Sequence, residues 1–169
     1  MAAIAVTRTY LEMRAPTELR PAAVPRPAPQ LVRVERCTIS FFRYLYGEVG
    51  KAHRWTDRLT WSDEKVVRYL ADPSVSLWLL SSGAVPAGYF ELQRHQDGSV
   101  EIAYFGLLPE FIGRGWGKHL LTRAVQSAWD MGAERVWLHT CTLDHAAALP
   151  NYLQRGFTPV REEVYEIDE

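Results

Sequence analysis

The chain has 169 residues, 47% of them hydrophobic, 12% aromatic and 23% charged, with a formal net charge of −1. That length and apolar content suffice for one domain with a substantial core, so residues 1–169 are read as a single domain. Near-neutral charge excludes a general nucleic-acid binder, which would carry a basic excess, and no apolar run approaches the roughly 18 residues of a membrane span.

The stretch from Met1 to Tyr10 lacks the basic start, long apolar centre and cleavage site of a secretory leader, so a cytoplasmic protein is expected. Two cysteines, Cys37 and Cys141, make no disulfide framework and are expected to be reduced and buried. The five histidines show no ligand spacing such as H-x-x-x-H, so no metal is expected.

In chain order, residues 6–14 read as a strand. Pro16, Pro21, Pro25, Pro27 and Pro29 then punctuate residues 15–30, an extended loop without regular structure. Leu31 to Arg36 alternates like a strand. Phe41, Phe42 and Leu45 suggest a helix from Ser40 to about Glu48, interrupted by Gly47 and Gly50. Lys51 to Trp61 is polar, aromatic and loop-like. Ser62, followed by Asp63 and Glu64, is an N-cap before an acidic first turn, and that helix runs to about Leu70, before Pro73.

Three strands follow, at residues 76–81, 87–93 and 100–108, separated by turns at Gly83 to Pro86 and Gln96 to Gly98. A helix is expected over 115–131, with Leu120, Leu121, Ala124, Val125, Ala128 and Trp129 on one face and Gly132 closing it. A strand at 135–140, a helix at 146–155 and a strand at 158–167 complete the chain. Helices before and within an antiparallel meander that ends in a β-α-β unit make a layered α/β or α+β domain.

The most telling stretch is Phe111-Ile112-Gly113-Arg114-Gly115-Trp116-Gly117-Lys118, between a strand and a helix. Bare backbone N–H groups and the positive end of a helix dipole converge there, which suits a phosphate. A P-loop needs Gly, four residues, then Gly-Lys-Ser/Thr, but Ile112 and His119 occupy its defining positions. A dinucleotide fingerprint needs a third glycine at Lys118 or Leu120, and neither is one.

The segment resembles the acyl-coenzyme A signature of the GNAT acetyltransferase superfamily, Gln/Arg-x-x-Gly-x-Gly/Ala. Arg114, Gly115, Trp116 and Gly117 fit its second half, and Ile112 stands where the polar first residue is usual. That departure removes a side chain and leaves the backbone amides in place. A second signature, Tyr152-Leu153-Gln154-Arg155-Gly156-Phe157, resembles the family's Tyr-x-x-x-Gly-Phe, with Ala148 four residues earlier. His145 replaces an Asn frequent there, and Pro150 falls within the expected helix, which is either kinked or starts late. The resemblance covers residues 75–167 and implies a mixed, mostly antiparallel sheet flanked by helices.

It also implies an N-acetyltransferase that moves an acetyl group from acetyl-coenzyme A to a primary amine, on a small molecule or a protein, by direct attack in a ternary complex. The pyrophosphate would rest on the amides of Gly113, Arg114, Gly115, Trp116, Gly117 and Lys118, with the pantetheine arm against the backbone of Leu107 and Leu108. Tyr152 is the implied general acid for the departing thiolate, because a phenol of pKa near 10 is protonated at pH 7. Glu101, eleven residues before Ile112, matches the offset of the glutamate base in the histone acetyltransferase branch. Glu91 and His139 are rivals for that role. The aromatic stretch with Tyr44, Tyr46, His53, Trp55 and Trp61 lies where the superfamily builds its acceptor site, and a cationic amine would lie against Trp55. The alternative is a coenzyme A-binding sensor or partner-binding module without catalysis.

Overall fold

The computed structural model describes residues 2–168. Seven strands, β1 (Ala3–Met13), β2 (Gln30–Arg33), β3 (Val75–Ser82), β4 (Val85–Arg94), β5 (Ser99–Leu107), β6 (Arg135–Cys141) and β7 (Thr158–Asp168), form one sheet. Four helices accompany them: α1 (Ile39–Gly50), α2 (Asp63–Ala71), α3 (Trp116–Asp130) and α4 (Ala148–Arg155). The sheet order is β2-β3-β4-β5-β6-β1-β7. Every pairing is antiparallel except β5 with β6, which α3 connects as a β-α-β crossover. The N-terminal strand lies between the last two strands of the chain, a placement no local pattern announces.

Most element boundaries follow local chemistry. Thr38 and Ser62 cap α1 and α2, their hydroxyls accepting from the N–H groups of Phe41 and Lys65 at 3.2 Å each. Gly132 sits just beyond α3 with φ +80°, and Gly156 closes α4 with φ +109°. Pro150 lies in the first turn of α4, where its missing N–H costs nothing, so the late start is the correct alternative and the helix begins at Ala148 rather than 146. Gly47 and Gly50 do not interrupt α1. Gly50 is needed because a Cβ there would lie 2.9 Å from that of Trp55.

The proline-rich segment departs from expectation. Pro16–Glu18 forms one 3-10 turn, with proline at its permissive first position. The segment then straps across α3 and α4. Arg20 donates its N–H to the Arg155 carbonyl at 2.9 Å, Ala22 donates to Thr122 Oγ1 at 3.0 Å, and the Glu18 carbonyl fills the space a Gly156 side chain would need. β2 is shorter than expected, ending at Arg33. Cys37 and Cys141 are free thiols, but half-buried rather than buried.

Two faces of the sheet are covered. A Cβ on Gly88 of β4 would meet Leu120 of α3, whereas neighbouring Tyr89 packs under Trp55, from the α1–α2 connection. The core between them includes Leu120, Leu121, Ala124 and Val125 of α3 and Phe42, Leu45 and Val49 of α1.

The feature that positions the site is a splay. β5 pairs with β6 only through Ser99, Val100 and Glu101. Beyond that point β6 stays with β1 as far as Cys141, while β5 stays with β4 as far as Leu107. The β4–β5 register shifts between Glu91 and Leu92, leaving Ala103 as an extra residue in β5. Such a bulge bends and twists its strand and turns β5 away from β6.

Candidate active site

At the end of β5, Pro109–Phe111 makes one 3-10 turn and the chain then reverses into α3. Gly113 and Gly115 have φ of +85° and +78°, the left-handed region where a side chain is strained. Nothing lies within 4 Å of an ideal Cβ at either one, so the backbone is open to an incoming group. Among the described residues, the N–H groups of Gly113, Arg114 and Gly115 make no backbone hydrogen bond. The first N–H groups of α3, at Trp116, Gly117 and Lys118, have no partner within the helix. The turn thus fits a pyrophosphate on backbone chemistry alone.

A cavity of about 380 Å³ runs from this turn into the splay, past Leu107, Ile112 and Asn151 to Phe105 and Tyr152. Leu107 lines it. Leu108 is not among its lining residues, its N–H donating to the Ala87 carbonyl and its carbonyl accepting from the Phe111 N–H. Trp116 points its ring at Phe111, with centroids 5.1 Å apart, and Arg114 lies over the same ring at 5.3 Å. Ile112 presents an apolar wall.

A second cavity of about 670 Å³ lies on the other side of the splay, walled by Tyr46, Trp55, Tyr104, Glu101 and His139 among others. Three residues line both cavities: His53, Phe105 and Tyr152. The Tyr152 ring is wedged edge-on between Phe105 and Phe157. Burial, reinforced by the charge of Asp144, pushes its phenol well above the ordinary value, so it remains a proton donor at neutral pH.

His53 stacks on Trp55 at 5.2 Å. Its Nδ1 lies 3.4 Å from the His145 N–H and 3.7 Å from Asp144 Oδ1. Burial alone would raise the Asp144 carboxyl, but the nearby His53 imidazole and hydrogen bonds from the Thr140 hydroxyl and the Cys141 N–H outweigh it and hold the group below its usual range. Gly106 makes this possible. A Cβ there would lie 2.5 Å from Val49 Cγ1 and 3.0 Å from His53 Nε2, so only glycine lets the end of α1 and His53 close onto β5. His145 shapes the turn before α4, its Nδ1 accepting from the Ala147 N–H at 3.1 Å.

Glu101 faces the second cavity, with Oε1 2.9 Å from His95 Nε2. Phe105, at the junction, is four residues farther along β5, about 13 Å at the usual strand rise. His139 also faces this cavity. Burial, then the charge of Arg8, lowers its pKa, so it is neutral at pH 7.

Glu91 departs from expectation altogether. It is completely buried and does not line the cavity. Both its oxygens accept from Arg58 Nη1 at 2.9 Å, and Tyr69 donates its hydroxyl to Oε1. The aromatic stretch wraps this same arginine: Arg58 Cζ lies 3.9 Å from the Tyr104 centroid, 4.3 Å from Tyr69 and 4.8 Å from Trp61. Burial works against the guanidinium charge, but the Glu91 carboxylate prevails and raises its pKa further. Tyr46 is drawn into the same cluster, its hydroxyl accepting from the Arg58 N–H at 3.1 Å, and it also lines the cavity.

The cage therefore holds the floor of the second cavity, and its ion pair is expected to be structural. Glu91→Gln leaves a buried guanidinium uncompensated, which costs about 3–5 kcal/mol, a fall in Tm of roughly 10 °C. Replacing both partners with leucine is expected to recover most of that loss in thermal melts. A Glu91→Gln protein melting like wild type contradicts the assignment.

A family model described as the GNAT acetyltransferase family matches residues 42–157. Uncharacterized N-acetyltransferases of Mycobacterium bovis and Mycobacterium tuberculosis are each 34% identical over 77 residues, 46% of this chain and 49% of theirs. The chain thus spans about half the length of the curated relatives it matches. A GCN5-related N-acetyltransferase from Kribbella flavida shares the fold with a TM-score of 0.68 at 20% identity, over 97% of this chain and 58% of that one. The ribosomal-protein-S18-alanine N-acetyltransferase from Escherichia coli does so with a TM-score of 0.61 at 17% identity, over 79% of each chain. At those identities the likeness concerns the fold, and it is the family model, spanning well over half of the residues, that shows the chain to belong to the GNAT acetyltransferase family.

Proposed function

We infer that the protein is an N-acetyltransferase that takes acetyl-coenzyme A in the glycine-turn cavity and an amine in the second cavity, with direct transfer between them. The carrying observation is that the two cavities meet at His53, Phe105 and Tyr152. A thioester entering from one side and an amine from the other come together beside one proton donor and one proton acceptor.

The chemistry requires a C–N bond to form and a C–S bond to break. An alkyl amine, with pKa near 10.4, must first lose a proton. His53 is the group at the junction that can take it, with the Asp144 carboxylate 3.7 Å from its Nδ1. Tyr152 gives its proton to the departing thiolate, and the second proton shed as the attacking amine becomes an amide restores the phenol. Glu101, farther along β5, reaches the reacting amine only through water and serves better to hold the cationic end of an acceptor beside Trp55.

Coenzyme binding is tested at Gly115. A glutamate there meets both the strain of a positive φ and the charge of the pyrophosphate. Gly115→Glu is expected to weaken acetyl-coenzyme A binding by more than roughly 100-fold in calorimetry. Affinity equal to wild type places the coenzyme elsewhere. Thiol release with a panel of amines separates an enzyme from a coenzyme-binding sensor: amine-dependent release is expected, and binding without release with any amine supports the sensor.

A further inference from the structure

Beside the glycine turn lies another cavity, of about 430 Å³, which shares Gly115 and Lys118 with the first. Its charged walls are Arg114 and Lys118 from the turn and Arg155 from the end of α4. The proline-rich strap, Ala22 to Pro25, supplies the rest. Three cations line it and no carboxylate does. Among the described residues, none of the three forms a salt bridge.

Arg155 is the informative member. Its Nε and Nη1 are buried and have no hydrogen-bond partner. A half-buried guanidinium with two buried, unpaired donors is costly, and two further cations beside it add repulsion. A dianion between them resolves both problems. The strap is pinned around this point by the Arg20 N–H on the Arg155 carbonyl and the Ala22 N–H on Thr122 Oγ1. The strap is thus a fixed wall of an open cavity and not a loose segment.

We propose that this cavity receives the 3′-phosphate of coenzyme A, with Arg155 as its main ligand, Arg114 and Lys118 as flanking charges, and the strap as its outer wall. The proposal rests on the coenzyme reading of the glycine turn. Coenzyme A carries a pyrophosphate and, one ribose away, a phosphate monoester whose charge near neutral pH approaches −2. A pyrophosphate on the amides of the turn leaves that monoester next to the neighbouring cavity. Planar guanidinium donors suit its oxygens. The enzyme would then distinguish coenzyme A from 3′-dephospho-coenzyme A, although neither the reacting carbon nor the sulfur differs between them.

Calorimetry with these two ligands tests the idea on the full chain. Wild type is expected to bind coenzyme A roughly 10- to 100-fold tighter than 3′-dephospho-coenzyme A, with the gap narrowing at high salt. Arg155→Met is expected to remove most of that gap by weakening coenzyme A alone, with dephospho-coenzyme A affinity as in wild type. That unchanged affinity also reports a folded variant. Equal wild-type affinities for the two ligands overturn the proposal, whether or not the variant folds. So does an Arg155→Met protein that loses affinity for both ligands equally. Failure of either ligand to bind wild type overturns the coenzyme reading itself, and so is distinct from failure of the subsite.

Discussion

Tyr152→Phe is expected to lower kcat by roughly 10²–10⁴-fold while leaving the affinity for acetyl-coenzyme A nearly unchanged. The substitution keeps the ring between Phe105 and Phe157 and removes only the hydroxyl. A donor that acts as sulfur leaves is felt in the transition state and not in the ground state, so the loss belongs in kcat. The raised pKa of Tyr152 adds a pH signature: the phenol keeps its proton past its ordinary value of about 10, so no fall in rate from its ionisation is expected below that pH. An unchanged kcat, with chemistry rate-limiting, reassigns Tyr152 to packing.

His53→Gln should be comparably severe. The variant cannot accept the amine's proton, so kcat/KM at neutral pH is expected to fall by roughly 10²–10⁴-fold and to recover partly at high pH, where more amine is already neutral. Glu101→Gln is expected to behave differently, raising KM for the amine with kcat largely kept, because its carboxylate lies farther along β5 and already bonds His95. One pH–rate series on the three proteins separates the roles. A wild-type profile for His53→Gln together with a flattened one for Glu101→Gln returns the base to Glu101 acting through water.

The glycine turn, the helix after it and the Tyr-x-x-x-Gly-Phe segment are legible because each is local. Glycines at positive φ, an apolar helix face and a helix-closing glycine lie within a few residues of one another. What the sequence does not display depends on distant partners. Glu91 looks as available as Glu101, since both sit on strands, yet Arg58, 33 residues away, claims it. The sign that Arg58 is special, a single arginine between Trp55 and Trp61, is readable only in hindsight, because nothing local says the rings fold over it.

His53 is visible only as one member of an aromatic stretch. Its contacts with Asp144 and with His145, 92 residues away, exist because Gly106 lets α1 close onto β5 and because the bulge at Ala103 opens the splay beneath them. The proline-rich segment has the composition of a loop and the behaviour of a strap, since its two tethers, to Arg155 and Thr122, lie more than a hundred positions away or close to it.

The central claim is that the thioester and the amine meet at the junction of the two cavities, and a crystal structure with acetyl-coenzyme A bound tests it most directly. The account predicts the pyrophosphate on the amides from Gly113 to Lys118, the pantetheine arm in the splay between β5 and β6, and the thioester sulfur within hydrogen-bonding reach of the Tyr152 hydroxyl, with His53 facing the acetyl carbon from the other side. A coenzyme bound with its sulfur away from both His53 and Tyr152, or outside the splay, contradicts it.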